Sequence, residues 1–267
     1  MLCGLWWVFE PIPIPATSLI PLAVFPLTGV LDGSDVGAAY GSPLVLLMLG
    51  GFMLSSAMAQ SGAHRRIALA MVTVFGGTSG RRLVFGFMAA SALLSMWISN
   101  AATALMLLPI VLAVLEQTED KKLTVALLLG VCYAASVGGI VTPIGTPPNL
   151  VFLQVYAENT GKEPTFLQWM SWSLPIALIM LPIVGLWLTR RLGSTAKIRM
   201  PKVGGWRSEE VRTLLVFVVT ATLWVTRKEP FGGWSEWTGL TSANDASVAL
   251  LAVVALFLIP NGENARV

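Results

Sequence analysis

Apolar residues in this chain do not alternate with polar ones; they come in long runs separated by short polar segments. Ile14 to Leu31, Pro43 to Ala59 and Leu83 to Leu115 contain no Lys, Arg, Asp or Glu. About 20 consecutive apolar residues cross a bilayer as an α-helix, the form that satisfies its own backbone polar groups in lipid. The pattern predicts helices over 14–31, 43–60, 83–115, 123–157, 165–189, 213–227 and 246–260. Leu2 to Phe9 reads as a helical stub, because Glu10, Pro11, Pro13 and Pro15 interrupt the opening run. No signal peptide is expected, and the natural start is expected upstream.

Two of these runs do not behave as simple spans. The run from Leu83 to Leu115 is too long for one crossing and too short for two with a turn, which predicts a re-entrant helical hairpin. Its centre, SMWISNAATALMLLPI, brings Ser95, Ser99, Asn100 and Thr103 to membrane depth. The tip is expected within a residue or two of Asn100, with Ser95 and Ser99 on one helix face by their spacing of four. The second run, around GGIVTPIGTPPN, carries Gly138, Gly139, Pro143, Gly145, Pro147 and Pro148, which rule out a continuous helix. A broken transmembrane helix is expected, non-helical over 138–148. The two interruptions should meet in one cavity, since each leaves backbone groups that the other can satisfy.

Composition sharpens the class. With 55% hydrophobic and 12% charged residues, the chain cannot clothe a soluble surface. By alternation of spans, Lys162, Arg227 and Lys228 fall on one side and the other Lys and Arg, out of 17 in all, on the opposite side. That excess assigns the basic side to the cytoplasm. The net charge of +3 reflects topology, and no nucleic-acid partner is expected. Trp169, Trp172, Trp234 and Trp237 read as interfacial anchors, 62–80 as a segment lying flat on the cytoplasmic face, and 190–212 as a basic cytoplasmic loop. Cys3 and Cys132 read as small buried side chains. His64, beside Arg65 and Arg66, reads as interfacial.

The candidate chemistry is that of oxygen donors. Hydroxyls and the carbonyls freed at helix breaks suit a small hard cation. Half-helix N-termini at the midplane favour anions. All 14 acidic residues lie at segment ends or in loops, so no intramembrane carboxylate is available to carry protons. No enzymatic constellation is present.

At these positions the chain resembles the divalent anion:sodium symporter family of the ion transporter superfamily. The resemblance runs through FEPIPIPATSLIPLAVFPLTGVL, LMLGGFMLSSAM, SNAATALMLLPI and GGIVTPIGTPPN, in that order. It implies an all-α, polytopic, multi-pass plasma-membrane protein with a re-entrant hairpin and a broken helix, built as one half of an inverted-repeat transporter that is a homodimer when complete. It implies a scaffold domain and a transport domain that alternates between the two faces in an elevator motion. The coupling ion would be sodium (Na+), with no other cofactor, and the substrate a small di- or tricarboxylate or other anion. Carried onto this sequence, Ser95, Ser99, Asn100, Gly145 and Asn149 would hold sodium, and Asn100, Thr103 and Pro148 would face the substrate.

Two departures qualify that expectation. Position 101 is Ala where the family pattern has Thr, which removes a hydroxyl from beside the substrate carboxylate. Residues 1–189 read as a first inverted repeat and 213–267 as only the first two helices of a second, without a second Ser-Asn-Thr tip or second break. The alternatives are a carrier of arsenite, sulfate or another anion on a similar fold, and a non-transporting fragment or half of a split transporter.

Overall fold

The computed structural model describes residues 2–75, 79–193, 204–229 and 231–260. The chain divides into two compact units, residues 1–46 and 47–267.

In the first unit, α1 (Leu2–Phe9) and α2 (Ile14–Leu27) are separated by the proline-rich segment, and α3 (Gly33–Tyr40) follows. The helix α3 lies where a polar loop is predicted. Its Tyr40 hydroxyl donates to the Ser18 carbonyl at 2.6 Å, tying it to α2.

The second unit contains most of α4 (Pro43–Ser61), then α5 (Ala63–Phe75), α6 (Gly80–Ser95), α7 (Asn100–Leu115), α8 (Lys121–Gly139), α9 (Pro147–Thr160), α10 (Phe166–Thr189), α11 (Ser208–Val225), α12 (Gly233–Trp237) and α13 (Asp245–Leu258). The predicted run 83–115 is thus two helices, and so is 123–157. The short α12 is a second helix in a predicted loop. By length and composition α4, α8 and α10 can each cross a membrane, and α2, α7 and α13 are shorter apolar helices.

The core lies where α5, α6, α7 and α8 meet, with Val84, Phe87, Leu107, Val114, Leu123 and Leu127 almost wholly buried. The helices α6 and α8 run side by side in the same direction. Met88 packs against Gly130, and the Ala92 backbone lies so close to Gly138 that a Cβ there would sit 2.5 Å from Ala92 Cα. Small residues at a helix contact allow this approach where lipid supplies no hydrophobic drive between helices.

Several readings are corrected by packing. Within the predicted surface segment 62–80, α5 buries Ala63, Ala68, Leu69 and Val72, so one face of it belongs to the core; residues 76–78 lie outside the described residues. Cys132 is exposed and Cys3 half-buried, because both sit on helix faces that the chain's own packing leaves uncovered. Trp169 is buried, so it is an internal hydrogen-bonding group, while Trp234 is half-buried and donates from Nε1 to the Leu223 carbonyl at 2.8 Å. The His64 ring nitrogen Nδ1 lies 3.0 Å from the Met58 carbonyl.

Of the basic segment 190–212, residues 194–203, with Lys197, Arg199 and Lys202, lie outside the described residues, as does Arg266. Its end is helical from Ser208. There Glu210 is buried, accepts from the Arg207 backbone N–H at 2.9 Å and pairs with Arg66 at 2.8 Å. Arg66 also donates to the carbonyls of Gly204 and Gly205 at 2.7 Å each, which ties the start of α5 to the approach to α11.

Candidate functional site: two helix breaks in contact

The first break is the turn 96–99 between α6 and α7. Ser99 caps α7, its Oγ accepting from the Ala102 N–H at 3.3 Å. The hydroxyl of Ser95, the last residue of α6, donates to Asn100 Oδ1 at 2.7 Å across the turn. Ser95 and Ser99 therefore do not share a helix face: α6 ends at Ser95 and Ser99 opens the next helix. Trp97 anchors the turn, edge-on to Phe217 at 5.2 Å and stacked on Phe166 at 6.2 Å and Trp224 at 6.4 Å.

The second break is 140–146, between α8 and α9. It is shorter than the expected 138–148, because Gly138 and Gly139 complete α8 and Pro147 and Pro148 start α9. Proline suits a helix N-terminus, where its missing N–H has no partner to lose. Asn149 bridges the break: its amide nitrogen Nδ2 donates to the carbonyls of Gly139 and Thr142 at 2.8 Å each. Trp169 Nε1 donates to the Ile140 carbonyl at 3.0 Å and Ser173 Oγ to the Val141 carbonyl at 2.9 Å. The carbonyls that a broken helix frees are thus taken up by side chains of α9 and α10.

The two breaks touch. A Cβ on Gly139 would overlap Asn100 Oδ1, and one on Gly145 would lie 3.0 Å from the Ser95 carbonyl oxygen. Only glycine permits this approach at either place. The Thr142 hydroxyl donates to the Met96 carbonyl, joining the breaks directly.

The structure thus brings Ser95, Asn100, Gly145 and Asn149 together through Gly139, with Ser99 at the cap. Ser99 and Asn100 are half-buried, while Ala101 and Pro148 are exposed. Thr103 lies one turn into α7, wholly buried, and its hydroxyl has no hydrogen-bond partner among the described residues. Sequence reasoning missed Trp97, Thr142, Trp169 and Ser173. Thr142 was visible as the hydroxyl next to Pro143 inside the break, whereas the other three depend on long-range packing that spacing does not encode.

Neither break's own segment carries charge: residues 83–115 and 123–157 contain no Lys, Arg, Asp or Glu, so the donors and acceptors these segments supply are neutral. At the start of α7 the N–H groups of Asn100 and Ala101 precede the capped Ala102, as the open donors of a helix N-terminus. The start of α9 is different, since Pro147 and Pro148 have no N–H and the Asn149 N–H turns back to the Thr146 carbonyl at 3.1 Å.

Interrupted apolar helices whose breaks join at an oxygen-rich centre place the chain among polytopic α-helical membrane proteins. A family model described as "Citrate transporter" matches residues 5–262, and the chain belongs to that family. It is 34% identical over 279 residues to the sodium-dependent dicarboxylate transporter SdcS of Staphylococcus saprophyticus, covering 96% of this chain and 53% of that protein. It is 32% identical over 277 residues to the protein of the same name from Staphylococcus aureus strain NCTC 8325, covering 96% and 52%. The chain spans about half the length of the curated relatives it matches. These matches accord with the resemblance to the divalent anion:sodium symporter family, and the family and these relatives are transporters, not enzymes.

Proposed function

We propose that this chain carries the sodium and substrate half-site of a sodium-coupled symporter for small di- or tricarboxylates. The observation that carries the reading is the contact of the two breaks, where Ser95 Oγ, Asn100 Oδ1 and the backbone of Gly139 and Gly145 converge. Ser95, Ser99, Asn100 and Gly145 supply oxygen ligands to sodium, and Asn149 holds the break in the shape that presents them. Neutral oxygens are the right chemistry for a hard monovalent cation, and the donor set fits.

The substrate carboxylate sits at the N-terminus of α7, against the N–H groups of Asn100 and Ala101, with Pro148 on its open side and the unpaired Thr103 hydroxyl one turn behind. Helix N-termini attract anions through these N–H groups and the helix dipole. With no cationic side chain in either break's own segment, the bound sodium itself offsets the carboxylate charge, so each ligand favours the other. That reciprocity is a coupling free energy, and it would make uptake sodium-dependent. In this reading residues 1–189 are the first repeat of an inverted-repeat homodimer, 190–212 a cytoplasmic loop, and 213–267 the opening helices of a second repeat, with an elevator motion carrying the site across.

The relatives, named as sodium-dependent dicarboxylate transporters, support this choice. The test is uptake of labelled succinate, citrate, sulfate and arsenite into proteoliposomes across a sodium titration, by a polypeptide carrying this segment and a second repeat. Sodium-driven succinate or citrate uptake is expected. Uptake of sulfate or arsenite alone would reassign the substrate, and uptake indifferent to sodium would remove the coupling.

A further inference from the structure

We propose that the paired ends of α8 and α10 form a binding site for an anionic phospholipid. The start of α8 and the end of α10 line an open groove of about 490 Å³ that carries Lys121, Lys122, Arg190 and Arg191. None of these four makes an ion pair among the described residues. Of the acids just before α8, Asp120 is occupied as its cap, its carboxylate accepting from the N–H groups of Lys122 and Leu123 at 2.9 and 3.3 Å, and the exposed Glu116 and Glu119 make no ion pair with the four among the described residues. The rim is therefore a concentration of four cationic side chains without direct ion pairs among the described residues, with room for a headgroup.

The shape below the rim identifies lipid as the occupant. Val125 and Leu129 also line the pocket and are exposed. They follow Lys121 by one and two helical turns, so the wall descends from the cations about 12 Å along a membrane-spanning helix. A phosphate at the rim with an acyl chain against that wall matches both features, whereas a soluble anion uses only the first. Trp187 closes the α10 side, and the Arg190 guanidinium stacks 3.4 Å from the centre of its ring, which holds the cation at the rim. The excess of basic residues puts these ends on the cytoplasmic side, where anionic lipids concentrate and basic pockets between helices take their headgroups. The site is remote in sequence from both helix breaks and does not depend on the transport reading.

The test is a lipid titration of the purified chain in detergent, read by native mass spectrometry, with phosphatidylglycerol and phosphatidylcholine of identical acyl chains. Phosphatidylglycerol should bind at one copy per chain with a preference of about tenfold or more. Lys122→Gln/Arg190→Gln should abolish that preference, and Lys122→Arg/Arg190→Lys should keep it. Arg65→Gln/Lys162→Gln, which removes the same charge from exposed positions outside the pocket, should leave it unchanged. Equal binding of the two lipids, equal loss in the Arg65/Lys162 variant, or displacement of phosphatidylglycerol by millimolar inorganic phosphate would overturn the proposal. If the neutralising variant fails to fold, a preference in the wild type that is unaffected by raising the salt would overturn it equally.

Discussion

The amide nitrogen of Asn149 lies 2.8 Å from the carbonyl oxygen of Gly139, the residue that ends α8. Through this bond and its twin to Thr142, one side chain of α9 replaces helix hydrogen bonds that the break removes. Asn149→Ala should therefore cost about 1–3 kcal/mol, the range for buried acceptors left unpaired. Asn149→Asp should cost more, because a carboxylate would face two carbonyl oxygens with no donor to offer them. Thermal unfolding of the purified variants in one detergent, followed by tryptophan fluorescence, checks the order.

Gly139 makes a second prediction. Since Asn100 Oδ1 occupies the space of a side chain there, Gly139→Ala must push the hairpin tip away, at about 1–3 kcal/mol for overpacking. At Gly37, in α3, a Cβ would meet nothing within 4 Å, so Gly37→Ala should be neutral or slightly stabilising. Equal effects of the two substitutions on the melting temperature would mean that the breaks are not packed as described.

The sequence made both breaks legible because each has a local cause: Ser95, Ser99 and Asn100 within an overlong apolar run, and glycines with prolines after Ala135. It also implied that they meet, from the need to satisfy freed backbone groups. What it could not supply was the means. Asn149 reads as a cation ligand by resemblance, yet its two donors point to carbonyls of its own broken helix. Trp169 reads as an interfacial anchor by its place near a helix end, yet its ring lies inside and its N–H is spent on Ile140. Helices α3 and α12 were missed because Gly, Ser and acidic residues are at least as numerous as apolar ones in these short segments.

Outside the apolar stretch of α11, the Glu210 carboxyl is held below its ordinary value of 4.5 by the Arg207 backbone N–H and by Arg66, against the opposing effect of desolvation. A depressed folded-state value means that the stabilisation is present above the ordinary value and is lost as pH falls through the lower one. Melting temperature should thus fall on the acid side of pH 4.5, and Glu210→Gln should flatten that fall while lowering stability at neutral pH. A wild-type and variant acid limb of the same slope would place no weight on this pair.

Ala101 bears on the substrate. Its side chain is exposed at the start of α7, where a hydroxyl would add a donor beside the proposed carboxylate position. Ala101→Thr should lower the half-saturating concentration for dicarboxylate uptake several-fold, in a chain carrying a second repeat, without altering expression. An unchanged value would move the substrate away from this helix end.

The central claim, that the two breaks form one sodium site, is tested most directly by the melting temperature of the purified chain in sodium chloride against choline chloride at equal ionic strength. A ligand that binds only the folded form stabilises it by RT ln(1 + [L]/Kd), about 1.4 kcal/mol at ten times Kd. The account predicts a sodium-specific rise in the wild type that Ser95→Ala and Asn100→Ala both abolish. Identical melting in the two salts, or an undiminished sodium effect in those variants, would contradict it.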